Sequence, residues 1–278
     1  MTGSGITLAM ALAPAATASA NRLEAQLLLL HAMGRSPRER AWLLAHDDAL
    51  LTPQQHAAFT ALIARFTAGE PLAYITGLQA FYGLDLHVDA RVLVPRSDTE
   101  TLVDWVLERL DVRAVTRPAF IDLGTGSGAI ACAVKHARHD VTVTAIDTSA
   151  DALTVARANA DRLGLEVTLH ASAWLADVTG RFDVIAANPP YIATTDPHLP
   201  SLRHEPLQAL ASGVDGVFDL RQIIRQAPAH LQPGGWLLLE HGYDQAQRVR
   251  NLLIEAGFAQ VQSRLDLGGI ERCSGGHL

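Results

Sequence analysis

After Pro118 the chain settles into a repeating alternation. Short apolar runs at 119–123, 141–146, 166–170, 182–187, 236–240 and 259–265 are separated, for the most part, by helical patterns at 127–138, 149–163, 219–231 and 243–256. Parallel strands need a crossover between them, and a parallel sheet needs cover on both faces. The spacing therefore predicts an α/β fold, a mostly parallel, doubly wound, Rossmann-like sheet. Such sheets bind ligands beyond the carboxyl ends of their strands. The residues that follow each strand are where chemistry is expected.

The first seventy residues have a helical period instead. Leu23, Leu27 and Leu30 share one face, Gly34 ends that helix, and Ser36-Pro37-Arg38-Glu39 and Thr52-Pro53-Gln54-Gln55 read as capping boxes. Phe59, Leu62, Ile63 and Phe66 stripe a further helix. A helical bundle is expected over 1–77, either as a stability cap or as a docking domain. Leu84, Leu86 and Val88 then alternate with Asp85, His87 and Asp89, and Val92-Leu93-Val94 follow a turn, which predicts a β-hairpin linker over 78–96. Ser97-Asp98-Thr99-Glu100 predicts the cap of a helix carrying Leu102, Val103, Val106 and Leu110, opening a third segment over 97–278.

Length and composition bound the options. A chain of 278 residues, 49% hydrophobic, has room for two domains with sizeable cores. A net charge of −7 argues against bulk binding to nucleic-acid phosphates, so no direct nucleic-acid binding is expected. Cys132 and Cys273 do not make a disulfide framework, which points to a reducing, cytoplasmic setting, and Cys132 lies in an apolar helical pattern. Ala18-Ser19-Ala20 resembles a cleavage site, but no basic residue precedes it, so no leader is expected. No run has the length of a membrane span. The twelve histidines are scattered without metal-ligand spacing, so no metal is expected.

AFIDLGTGSGAIACAV (119–134) is a strand, a glycine turn and a helix. Glycines there let a ligand approach the backbone, with a helix N-terminus behind it. Gly124, Gly126 and Ala129 also satisfy the dinucleotide fingerprint, so the loop by itself does not separate a nicotinamide cofactor from S-adenosylmethionine. Asp122, just before the glycines, disfavours a pyrophosphate and favours a cationic methionine end. Asp147 closes the next strand, where a carboxylate takes ribose hydroxyls or caps the helix that begins near Ser149. Trp174, after the third strand, either covers an adenine face or packs in the core; Trp42, Trp105 and Trp236 read as core.

The strand FDVIAA ends in Asn188-Pro189-Pro190-Tyr191 at the ligand-binding edge, and the non-periodic stretch 192–218 follows. These residues suit an NH₂ group on a planar π system. Asn188 offers a carbonyl acceptor, Pro189 and Pro190 fix a backbone carbonyl without a competing N–H, and Tyr191 stacks. Two acceptors holding both hydrogens aim a weakly nucleophilic nitrogen at a methyl donor, with no dedicated base.

IDLGTGSGAIA, Asp147 and NPPYI resemble the class I S-adenosylmethionine-dependent methyltransferases. With GEPLAYITGLQAFYGLDLHV (69–88), LVPRSDTE (93–100), HEPLQAL (204–210), GGWLLLEHG (234–242) and RLEAQLLLLHAMG, the chain is similar to the PrmC/HemK protein-(glutamine-N5) methyltransferases over nearly its whole length. The resemblance implies methylation of the glutamine of the Gly-Gly-Gln motif in class I peptide-chain release factors. It implies a cofactor site of Asp122, Gly124, Thr125, Gly126, Ser127, Gly128, Asp147, Trp174 and Asn188, with S-adenosylhomocysteine as product. The glutamine is expected to meet Asn188, Pro189, Pro190 and Tyr191, with Asn188, Pro189 and Tyr191 catalytic. The helical domain is expected to hold the release factor, and the enzyme to be a monomer. Ala173 stands where the family often has an acid, Ser97 where proline is common, and the tail GGIERCSGGHL is unusual.

Three rivals use the same residues. Adenine N6 and guanine N2 are also planar NH₂ groups, but no basic stripe accompanies the site. A non-catalytic S-adenosylmethionine-binding module would be favoured by loss of Asn188 or a broken glycine loop, and neither is seen. A nicotinamide dehydrogenase leaves NPPY unexplained.

Overall fold

The computed structural model describes residues 5–15, 21–112 and 115–278. The chain divides into two compact units, Met1–Gly77 and Leu78–Leu278. Ala18-Ser19-Ala20 lies outside the described residues. No described helix is long and apolar enough to cross a membrane.

The first unit holds α1 (Leu8–Ala15), α2 (Arg22–Ala32), α3 (Arg40–Ala45), α4 (Pro53–Thr67) and α5 (Leu72–Thr76). Asn21 and Glu24 form a reciprocal capping box for α2, and Thr52 and Gln55 form another for α4. Ser36 and Glu39 do the same, but for a short 3₁₀ turn. The buried face of α2 is Ala25, Leu28, Leu29 and Leu30, whereas Leu23 is exposed. The face expected from Leu23, Leu27 and Leu30 is therefore not the buried one, because four consecutive leucines satisfy more than one helical face. Trp42 is half-exposed rather than core: Arg35 lies 3.4 Å over its ring and His46 stacks at 4.6 Å.

The second unit opens with a hairpin of β1 (Leu78–Phe81) and β2 (Leu84–His87), turned by Tyr82 and Gly83 at φ +48° and +77°. The strand paired with β2 therefore precedes it. Val92-Leu93-Val94 forms no strand. The hairpin packs its Phe81, Leu84 and Leu86 into the same core as Trp105 and Phe120. Ser97–Thr99 is a 3₁₀ turn leading into α6 (Glu100–Val112), and no side chain caps it. Glu100 instead accepts the Tyr82 N–H at 2.8 Å.

Then follow β3 (Ala119–Leu123), α7 (Ala129–Ala137), β4 (Thr142–Asp147), α8 (Ala150–Leu163), β5 (Val167–Ala171), β6 (Phe182–Ala187), α9 (Phe218–Gln226), β7 (Leu231–Glu240), α10 (Ala246–Glu255), β8 (Ala259–Leu265) and β9 (Glu271–His277). The sheet runs β5-β4-β3-β6-β7-β9-β8, with only β9 antiparallel to its neighbours. Strand order reverses between β3 and β6, which makes their carboxyl ends the topological switch point. Along β6, Val184 and Ala186 enter one core while Ile185 and Ala187 enter the other. Cys132 and Cys273 are both buried and free.

Strand β9 has no apolar alternation to announce it. Gly275 and Gly276 disfavour a strand by composition. Here they are required: a Cβ on Gly275 would lie 2.6 Å from the Leu237 carbonyl oxygen, and one on Gly276 3.0 Å from that of Ala259.

Candidate active site

The glycine loop after β3 and the NPPY after β6 meet at the switch point, and a cavity opens between them. Gly124, Gly126, Asp147, Trp174, Asn188 and Pro190 all line it. The Thr125 N–H donates to the Ile146 carbonyl at 2.8 Å, which clips the loop onto β4. Gly124 has φ +69°, and a Cβ there would sit 3.1 Å from the Trp174 ring. Gly128, at φ +81°, packs against Ala156 and lets α8 approach.

Asp147 holds its carboxylate at the end of β4 by two backbone bonds: Gly126 N–H donates to Oδ2 and Ser149 N–H to Oδ1, each at 2.9 Å. The cap of α8 is the Ser149 hydroxyl, which accepts the Ala152 N–H. Asp147 is thus freed from capping, and each of its oxygens keeps a lone pair for a ligand hydroxyl. Trp174 sits at φ +52°, an uncommon conformation for a non-glycine residue, and its indole N–H donates to Asp219 at 3.2 Å. Asp219 also takes the Ser212 hydroxyl at 2.7 Å, so the end of the long 192–218 stretch fixes the ring against the cavity.

Asp122, Thr125, Ser127 and Gly128 are not on the cavity surface. Asp122 is fully buried beneath the loop, where its Oδ2 accepts the Thr125 hydroxyl at 2.6 Å. Burial pushes its carboxyl up to about 7, and the Thr125 bond offsets this only in part. Thr125 and Ser127 are buried and hold the loop rather than face outward. Pro189 is buried and Tyr191 half-buried, and neither lines the cavity. Gln245 donates to the Tyr191 carbonyl at 2.9 Å, and burial, ahead of the nearby Glu240 charge, pushes the phenol up to about 12.

Behind Asn188 lies a polar cluster that motif reading did not separate out. The Asn188 Nδ2 donates to the Thr99 hydroxyl at 3.1 Å. Glu240, at the end of β7, is 1% exposed, and burial pushes its carboxyl up to about 7 against the Thr99 hydrogen bond and the Arg272 charge. Arg272 reaches Asp266 at 3.2 Å and Asp98 at 3.5 Å. Glu205 accepts the Val94 N–H at 3.1 Å and pairs with Arg96, tying the long stretch to the segment before α6. Arg91 and Leu93 from that segment also line the cavity, as do Gln208 and Ala209. Arg91, Asp266 and Arg272 apart, their only signal in the sequence was membership in the LVPRSDTE, HEPLQAL and GGWLLLEHG segments. No group of three or more His, Cys, Asp or Glu side chains suited to a metal occurs among the described residues.

The cavity fits S-adenosylmethionine on its own chemistry. A side-chain-free Gly124 lies against a flat aromatic wall, a carboxylate is fixed at a strand end with spare lone pairs, and an amide stands at the rim.

Known proteins are similar to this chain in sequence and fold. The profile of the PrmC N-terminal domain matches residues 9–77 and that of the methyltransferase small domain matches residues 99–204. The release factor glutamine methyltransferase of Bordetella pertussis is 49% identical over 261 residues, spanning 92% of this chain and 95% of that one. That of Xylella fastidiosa (strain Temecula1) is 46% identical over 96% of this chain and 97% of its own. The chain belongs to the release factor glutamine methyltransferase family. Solved methyltransferases share its fold at lower identity. One from Pyrococcus furiosus superposes with a TM-score of 0.54 at 20% identity, over 77% of this chain and 96% of that one. The T. thermophilus 16S rRNA N2 G1207 methyltransferase, in complex with AdoMet and guanosine, has a TM-score of 0.54 at 20% identity over 72% of this chain and 49% of its own. Of the positions singled out in the sequence as departures, Ala173 is exposed beside Trp174, and Ser97 starts the 3₁₀ turn that carries Thr99.

Proposed function

We propose that this protein transfers a methyl group from S-adenosylmethionine to the side-chain amide nitrogen, N5, of the glutamine in the Gly-Gly-Gln motif of class I peptide-chain release factors. The observation that carries the reading is Asn188, presented at the cavity rim with its NH₂ end tied back to Thr99, in a chain related over 92% of its length to a release factor glutamine methyltransferase. Its carbonyl end is then available to a substrate NH₂.

S-adenosylmethionine supplies an electrophilic methyl group and is left as S-adenosylhomocysteine. Asp147 takes the ribose hydroxyls and Trp174 covers the adenine. Asn188 holds one hydrogen of the substrate amide, and a backbone carbonyl of the Pro189-Pro190 pair holds the other, which aims the nitrogen for bond formation. The proton displaced from that nitrogen leaves to water. Tyr191, kept neutral by burial, lies beside the glutamine plane. The helical unit grips the release factor. The protein works as a cytoplasmic monomer without a metal, and binds no nucleic acid of its own.

The test is direct. Labelled S-adenosylmethionine is incubated with release factor, duplex DNA or ribosomal RNA, and the methyl group is located by mass spectrometry. Label on the Gly-Gly-Gln glutamine is expected, and label confined to nucleic acid would overturn the reading.

A further inference from the structure

An asparagine can meet a substrate amide with either end of its side chain, and only the oxygen accepts the hydrogen of an NH₂. In this site the choice is made behind Asn188. Its Nδ2 donates to the Thr99 hydroxyl at 3.1 Å. Thr99 is itself 4% exposed, and Glu240, at the end of β7, lies close enough to the Thr99 hydroxyl and the Asn188 amide for both to favour its ionised form. Glu240 is 1% exposed, and its Oε2 has no hydrogen bond among the described residues. An ionised carboxylate only accepts. It therefore draws donors toward itself: the hydroxyl of Thr99 first, then the NH₂ of Asn188. The inverted amide would set its oxygen against a carboxylate and against the lone pairs of Thr99.

We propose that Glu240, directly and through Thr99, is a positioning residue that fixes the Asn188 side chain with its carbonyl toward the reacting glutamine amide. This rests on the methyl transfer proposed above. Asn188 lies 89 residues from Thr99 in sequence, and β7 brings Glu240 to the same point. The clamp is thus assembled from the turn before α6, the end of β6 and the end of β7.

Other charged and titratable groups surround the pair. Arg272, on β9, favours the ionised Glu240, and Asp98, in the turn before α6, opposes it. Cys273 on β9 and Tyr191 after β6 are both pushed upward, first by burial and then by the Glu240 charge, and stay neutral. A protonated Glu240 has a hydrogen to give. Thr99 then accepts it and turns its own hydrogen to Asn188, which favours the inverted amide. The productive arrangement belongs to the ionised form, so turnover falls on acidification while cofactor binding does not.

Thr99→Val keeps the shape and removes the hydroxyl, and Thr99→Ser restores it. Thr99→Val is expected to lower kcat at least ~10-fold, with the dissociation constant for S-adenosylmethionine changed less than ~2-fold, and Thr99→Ser to recover most of the rate. Glu240→Gln is expected to remove the acid limb of the kcat–pH profile. A second readout needs no turnover and no bound cofactor. The side-chain NH₂ of Asn188, identified in a nitrogen-15 spectrum by its loss in Asn188→Asp, should exchange slowly with water in the wild-type protein and rapidly in Thr99→Val. A Thr99→Val enzyme with near-normal kcat, or a wild-type Asn188 amide exchanging freely, would overturn the proposal. Slow Asn188 exchange in a protein that methylates no release factor would support the positioning and defeat the substrate reading instead.

Discussion

Gly124 illustrates how tightly single residues are specified at the cavity. Its φ of +69° is costly for any residue with a Cβ, and that atom would meet the Trp174 ring at 3.1 Å. Gly124→Ala should cost about 1 kcal/mol in backbone strain and displace the indole from its bond to Asp219. Calorimetry should show S-adenosylmethionine binding weakened at least ~10-fold, more than the modest stability loss accounts for. Gly124, Asp147 and Asn188 were legible in the sequence because each stands at the carboxyl end of a strand, where local pattern and place at the cavity coincide. Thr99 and Glu240 were not. Thr99 sits in an acidic tetrapeptide that reads as a helix cap, and Glu240 in an apolar run. Their meaning lies in a meeting of distant segments that no spacing records. Pro189 and Tyr191 were singled out by motif, and neither is among the residues that line the cavity.

Among the elements, α8 is the one that joins the hairpin to the glycine loop. Its Asn159 is fully buried. The side-chain oxygen accepts the His87 N–H at 2.7 Å, and the amide donates to the carbonyls of His87 and Ser127 at 2.9 Å each. Asn159→Ala leaves three backbone groups without partners, and each buried unpaired group costs about 1–3 kcal/mol. Chemical denaturation should register a loss of roughly 3 kcal/mol. Because Ser127 belongs to the loop, cofactor affinity should fall as well. An unchanged affinity would show that the loop holds its shape without the α8 pin. The parallel strands and their helices were readable because hydrophobic period and length agree there. The hairpin was legible only in its second strand. Gln79 and Ala80 leave its first strand without a clear apolar alternation, so the turn was placed after β2 rather than before it. β9 escaped detection because its glycines serve close packing against Leu237 and Ala259 and carry no periodic signal.

The molecule as a whole carries two buried carboxyls whose protons belong to the folded state. Asp122 and Glu240 are both pushed to about 7, from ordinary values of 3.8 and 4.5. The native chain holds these protons more tightly than the unfolded chain. They favour the fold fully below about pH 4, and that contribution is lost as pH rises toward 7. Buried His241 works in the opposite sense, since burial lowers it from 6.5, so its contribution is present above that value and lost on acidification. Asp122→Asn isolates one carboxyl. The stability of the wild type relative to this variant should decline between about pH 4 and pH 7, and a flat difference would show that Asp122 binds no extra proton in the native state. The strand order has a further consequence, for the order of assembly. β9 lies between β7 and β8, and Cys273 is the partner of Glu240 in that ladder. Thirty residues, 241–270, separate β7 from the strand that must insert beside it. Such long-range pairing forms late, and until it does β7 presents an open edge. Water then reaches Glu240, and a hydrated carboxylate has no need of Thr99 or Asn188. The clamp proposed behind Asn188 is therefore among the last features to mature, and a half-folded chain carries the glycine loop and the NPPY before Glu240 is enclosed beside them.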